Sequence, residues 1–158
     1  MTHDATVASD LEIVMDRVVD APRELVWEAW TQIEHIERWW GRDGLTTTTL
    51  EFEMRPGGVW RSVMHAPDGV DYKIRIVFRE VTPPDRLTYV HDDEGAGQVP
   101  EFPTTVTFED VDGKTRVTMR SEFASKAERD RVWEEGAKEG GPQMLARMAE
   151  HVAHMARR

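Results

Sequence analysis

The scarcest groups able to do acid–base or metal chemistry in this chain are six histidines and two tyrosines, and cysteine is absent. His151 and His154 sit at i, i+3 spacing in an apolar-striped C-terminal segment. His151 flanks the stripe and His154 falls about 140° from its centre, so both are expected at the surface. His35, His65 and His91 belong to three separate elements, and no HExxH pair is present. Neither a metal nor another cofactor is therefore expected. Nucleophilic catalysis fares no better, since there is no GxSxG and no Ser/His/Asp set that spacing can justify. "RPGG" and "EGG" are turn and break signals rather than phosphate loops. What remains is a sparse acid–base site. Tyr72, Tyr89 and His91 lie in phase with apolar strand neighbours and are the candidate catalytic residues, with Arg17 as a buried charge on the first strand. Burial would shift the pKa of such groups. The commoner reading of a strand tyrosine is a core residue with its hydroxyl at the edge, so an enzyme is less expected than a binding protein.

Those side chains need a scaffold, and 158 residues suffice for one domain that buries its own core. Residues 1–10 are small and polar and are assigned to a disordered tail, leaving 11–158 as a single domain. A formal charge of −10 argues against nucleic acid as a partner. No run approaches the ~20 apolar residues of a membrane span. "MTHDATVASD" lacks the basic and apolar regions of a signal peptide. A soluble cytoplasmic protein is the expectation, and a homodimer is compatible with it.

"LEIVMDRVV" reads as a strand, and "DAPRELVWEAWT" and "IEHIERWW" as two short helices, the second closed by Gly41. In "LTTTTLEFEM" Leu50, Phe52 and Met54 should share a face. "VWRSVMHA", "DYKIRIVFREV", "RLTYVH", "TTVTFEDV" and "TRVTMRSEF" alternate as half-buried strands. "DDEGAGQVPEFP" is a mobile loop by composition. "SKAE" is a capping box, after which Val132, Trp133 and Ala137 mark a first helical stretch. Gly140 and Gly141 should interrupt it, with Pro142 opening a last helix whose stripe is Leu145, Met148, Val152 and Met155. The expected class is α+β: a curved antiparallel sheet of about seven strands around a long C-terminal helix.

"DAPRELVWEAWTQIEHIERWWG", "MRPGGVWRSVMHAPDG", "FREVTPPDRLTYVH" and "EGGPQMLARMAEHV" occur in an order and spacing that resemble a known family. It comprises homologues of the C-terminal domain of the activator of the 90-kDa heat-shock-protein ATPase, within the START/Bet v 1-like (SRPBCC) superfamily. The resemblance runs from about Val18 to Val152. It implies a helix-grip fold with a hydrophobic cavity between sheet and helix. The family's last helix often opens with Gly-Trp; here "GGP" puts Pro142 in that place, which implies a roomier mouth or compensation by Trp133. The eukaryotic activator carries a separate N-terminal domain, whereas about ten residues precede the first strand here. Chaperone activation is accordingly the second expectation rather than the first.

The first expectation is a module that binds an apolar or aromatic small molecule or lipid in a cavity of ~300–1,000 Å³. Its lining is expected from Trp39, Trp40, Trp60, Ser62, Met64, Tyr72, Ile74, Ile76, Tyr89, Phe108, Met119, Met144 and Met148. A protein-interaction module acting on a chaperone ATPase is the alternative, and a cyclase- or dehydratase-type enzyme the second alternative. Within "RWWG", Trp39 is expected to anchor the short helix and Trp40 to lean towards the cavity mouth.

Overall fold

The computed structural model describes residues 2–92 and 101–157, with 2–9 as backbone only. The acidic, glycine-rich loop lies mostly at 93–100, outside the described residues. The elements in order are β1 (Thr2–Ser9), β2 (Glu12–Val19), α1 (Arg23–Thr31), α2 (Ile33–Trp39), β3 (Thr46–Phe52), β4 (Val59–His65), β5 (Asp71–Thr82), β6 (Arg86–Asp92), β7 (Phe102–Val111), β8 (Lys114–Glu122), α3 (Lys126–Val132), a π-helical turn (Trp133–Ala137) and α4 (Lys138–Ala156). The strands form one antiparallel sheet in the order β1-β2-β8-β7-β6-β5-β4-β3. Every strand from β3 to β8 pairs with its sequence neighbour. Only the β2–β3 connection crosses the sheet, and α1 and α2 make that crossing. This is the helix-grip arrangement that the family resemblance implies.

Alternation sets the inner face. Ile74, Ile76 and Phe78 of β5 are buried, as are Val117 and Met119 of β8, while Lys73, Arg79 and Arg120 point to solvent. Three expectations need correction. The segment assigned to a disordered tail is placed as β1, paired with β2 across two register shifts. Its polar residues carry no burial signal, but the open edge of β2 offers backbone partners to any extended segment beside it. The sheet therefore has eight strands. Leu50 does not share the face of Phe52: it is the extra residue of a bulge between Thr49 and Glu51, and is 54% exposed.

The third correction concerns the C-terminal helix. Ser125 caps α3 by accepting the Glu128 amide at 3.2 Å, as "SKAE" predicts. Gly140, Gly141 and Pro142 then interrupt nothing, because all three lie inside α4. The irregularity comes earlier, at the π turn, where the chain takes more residues per turn. The two glycines serve proximity instead. A Cβ on Gly141 would meet Met15 Sδ at 2.2 Å, and one on Gly140 would meet Arg42 Cβ at 3.3 Å. The helix lies directly on β2 and on the α2–β3 connection because those side chains are missing.

Trp30, Trp39, Trp60, Phe78 and Met148 are fully buried. Trp30 packs edge-on against Trp39, Trp40 and Phe108, and Trp40 against Trp60. This aromatic cluster fills one end of the space between sheet and helices. The other end is not filled.

Candidate functional site

A void of about 520 Å³ occupies that end. Its floor is the inner face of the sheet, with Ile13 and Met15 from β2, Met119 and Ser121 from β8, Thr104 from β7, Tyr89 and His91 from β6 and Ile74 from β5. Its roof is the C-terminal helix from Val132 to Met144, including both glycines. Trp40, Gly41, Arg42 and Leu45 close one side. Tyr72, 36% exposed, stands at the rim with the exposed side chains of Arg42 and Glu135.

Of the residues proposed from sequence, Trp40, Met64, Tyr72, Ile74, Tyr89, Met119 and Met144 line this void, together with His91. Trp39, Trp60, Ser62, Ile76, Phe108 and Met148 do not. They are buried in the core instead. For Trp60, Ser62, Ile76 and Phe108 the strand parity is right, but parity chooses a face and not a position along it. Phe108 is held under α1 by Trp27 and Trp30, at 5.3 and 5.8 Å between ring centroids. Trp60 lies beneath Trp40 and donates its indole N–H to Thr49 Oγ1 at 3.1 Å. Arg17, on β2, is half-buried and does not reach the void.

The tryptophan pair divides. Trp39 is 1% exposed and donates its indole N–H to the Ala29 carbonyl at 3.0 Å, tying α2 to α1. Trp40 is the last residue before Gly41, whose φ of +93° turns the chain sharply. Its ring lines the void and packs edge-on against Tyr89, 6.3 Å between centroids.

Among the described residues the polar content of the inner wall is a row of three hydroxyls and, beside it, the ring of His91. Tyr89 lies opposite Thr104 across β6–β7, and Thr104 opposite Ser121 across β7–β8. Thr104 Oγ1 and Ser121 Oγ are 2.8 Å apart, and the Tyr89 hydroxyl is hydrogen-bonded to the Thr104 side chain. Burial holds the Tyr89 phenol well above its ordinary pKa, and the bond to Thr104 offsets only part of that. Tyr89 is thus a neutral hydroxyl and not a base at physiological pH. His91 stacks on Phe102, 5.3 Å between centroids, at the end of the same floor. Sequence reasoning missed Thr104 and Ser121. The signal was available, since Thr104 is in phase with Val106 and Phe108, and Ser121 with Val117 and Met119.

Of the two histidines expected at the surface, His154 is exposed and His151 is not. His151 is half-buried, and its Nε2 lies 3.0 Å from Nδ1 of His35, which in turn is 3.6 Å from Glu28. That pairing joins α4 to α2, which a single-helix projection cannot show. On the outer face, His65 bridges Asp71 and Thr48, each at 2.8 Å. The line resembles a base between its orienting carboxylate and a hydroxyl, but His65 and Asp71 are 39% and 58% exposed, so water competes for both bonds. Among the described residues no three ligating side chains gather in a way that could hold a metal ion. No helix among them is long and apolar enough to cross a membrane.

The profile of the family described as "Activator of Hsp90 ATPase homolog 1-like protein" matches residues 20–153. The chain belongs to this family. Solved structures give the same fold for proteins of low identity. A protein from Arthrobacter aurescens, 24% identical, superposes with a TM-score of 0.89 over 98% of this chain and 93% of its own. One from Nitrosomonas europaea, 22% identical, reaches 0.85 over 96% and 100%. The AHSA1-like protein from Aeromonas hydrophila, 22% identical, reaches 0.69 over 92% and 94%. No curated protein matches the chain. Against the family's usual Gly-Trp, the "GGP" here leaves Gly140 and Gly141 facing the void while Pro142 lies off it. Trp133 does not take the missing ring's place: it lines a neighbouring cleft of about 440 Å³ with charged residues including Arg42, Glu134 and Lys138.

Proposed function

We propose that this Activator of Hsp90 ATPase homolog 1-like domain binds a small, largely apolar molecule between its sheet and its C-terminal helix. The observation that carries the reading is the void itself. A pocket of about 520 Å³, open at its rim and walled by Ile13, Met15, Ile74, Met119 and Met144, leaves apolar surface against water unless a ligand enters it. Its size is that of a small-ligand pocket.

Phenylnaphthylamine, neutral and fluorescent in apolar surroundings, serves as the probe. It is expected to bind at a single site with enhanced emission. Ala137→Phe and Ile74→Phe each project a ring into the void and should weaken binding at least tenfold while the thermal midpoint stays near that of the parent. Undiminished binding to both folded variants would dispose of the reading.

The family description favours a second reading, stimulation of a chaperone ATPase. The surface for it would be the mixed-charge outer face, where Arg75 pairs with Asp92 at 2.9 Å and Arg120 with Glu12 at 2.9 Å. Added purified protein should then raise the ATPase rate of a 90-kDa-type chaperone, and Arg120→Glu should lower that gain. A flat titration removes this reading and leaves the first intact.

A further inference from the structure

The hydroxyl row restricts what the void can hold, an inference that rests on the ligand-binding reading above. Tyr89, Thr104 and Ser121 are 3%, 2% and 6% exposed, so bulk water does not reach them freely. Three hydroxyls bring three protons, and the two bonds that join them in a line consume two. One proton is left over whichever way the line is polarised. If Ser121 donates to Thr104 and Thr104 to Tyr89, the spare proton is the phenol's. If the order reverses, it belongs to Ser121. Around it Ile13 and Phe123 offer no side-chain acceptor and Met119 only a weak thioether sulfur, while the ring of His91, on the same floor, is stacked on Phe102. A buried donor of this kind is satisfied by an acceptor on whatever occupies the space.

The same wall decides the acceptor's charge. The cationic group of the lining, Arg42, is exposed at the rim, so a carboxylate driven to the floor would be desolvated without a counter-charge. The chain's formal charge of −10 adds a general repulsion for anions. A cation would find unused hydroxyl lone pairs but would leave the spare proton unmatched, and among the described residues no carboxylate but Glu135, at the rim, lines the void to neutralise it.

We infer that the ligand is a neutral, mostly apolar molecule whose buried end carries one hydrogen-bond acceptor, such as a ketone or ester carbonyl, seated on the Tyr89–Thr104–Ser121 row. Because the row can reverse its polarity, the acceptor is served at either end of it. The selectivity lies in neutrality and in having an acceptor, not in one fixed position.

Three probes on one skeleton separate these requirements: acetylnaphthalene, ethylnaphthalene and naphthoate, titrated by quenching of tryptophan fluorescence. Acetylnaphthalene should bind about tenfold more tightly than ethylnaphthalene, and naphthoate more weakly than either. The triple variant Tyr89→Phe, Thr104→Val and Ser121→Ala removes every hydroxyl of the row and should bring acetylnaphthalene and ethylnaphthalene to equal affinity. Thr104→Val alone splits the row into two separate donors, Tyr89 and Ser121, and should keep the preference for the ketone; it carries the test if the triple variant does not fold, and loss of the preference in it counts against the inference. Equal binding of ketone and hydrocarbon by the parent protein, or tightest binding of naphthoate, overturns the inference while leaving ligand binding intact. So does a series that fails to bind where phenylnaphthylamine binds. Failure of phenylnaphthylamine and the whole series together overturns both.

Discussion

Gly58→Ala is expected to destabilise the domain by about 3–4 kcal/mol, near the upper end for a single added methyl. The new Cβ would stand 2.1 Å from the Glu53 carbonyl oxygen and 2.9 Å from that of Arg55. Both obstacles are backbone, so no side-chain rotation relieves them. Nor can the turn drift away, because it is pinned on every side. Gly57 N–H donates to Phe78 O at 2.7 Å, Phe78 N–H to Gly58 O at 2.9 Å, Gly58 N–H to Arg55 O at 2.8 Å and Glu53 N–H to Val59 O at 3.0 Å. Relief means giving up one of these rungs between β3, β4 and β5. Gly57→Ala provides the control. Gly57 has φ of +82° but no atom nearer than 3.9 Å to its virtual Cβ, so it meets left-handed backbone strain alone, about 1 kcal/mol. Urea unfolding of the two variants should rank them in that order. Equal costs, or a Gly58→Ala cost under about 1 kcal/mol, would mean the turn is far softer than its bonds imply.

The contrast explains why the motifs were informative and where they stopped. "RPGG", "SKAE" and the alternation of β5 each state a local requirement, a turn, a cap and a half-buried strand, and the sequence alone carries local requirements well. The same holds for the long helix, whose stripe at Leu145, Met148, Val152 and Met155 is buried throughout. Gly140 and Gly141 were misread because a helical glycine carries two meanings, a break or a close approach. Only Met15, about 125 residues away in sequence, decides between them. The site suffers the same limit. Strand parity brought Tyr89, Met119 and Ile74 to the inner face, yet it could not say that Trp60 and Phe108 on that face would be packed under Trp40 and Trp30. The hydroxyl row was hidden for another reason. Each member looks like an ordinary strand Thr, Ser or Tyr, and its meaning lies in the register that lines them up across three strands.

Arg147 is the case in which one side chain couples stability to the site. Arg147→Met is expected to cost about 2–3 kcal/mol, more than its half-buried position suggests. Its guanidinium lies among the backbone carbonyls at and beyond the end of α2. Nη1 is 3.4 Å from Trp40 O, 3.0 Å from Gly41 O and 2.9 Å from Arg42 O. Nη2 is 3.3 Å from Arg38 O and 3.5 Å from Leu45 O. Carbonyls at a helix C-terminus have no partner within the helix, and a cation there also meets the negative end of the helix dipole. Methionine keeps most of the stem's packing and deletes the donors. Arg147→Lys keeps the charge but presents a single nitrogen where a planar fork spans several oxygens, so it should recover less than half of the loss. The oxygens it holds belong to the segment that gives the void Trp40, Gly41, Arg42 and Leu45. Loosening that segment costs the wall its fixed geometry, and phenylnaphthylamine should bind several-fold more weakly to Arg147→Met at temperatures where the variant is fully folded. Denaturant titration and probe binding on the same samples measure the two effects separately. A variant that loses stability but keeps parental affinity would show that the wall is held by Trp40's aromatic contacts alone. One that loses neither would show that the carbonyls are served equally well by water.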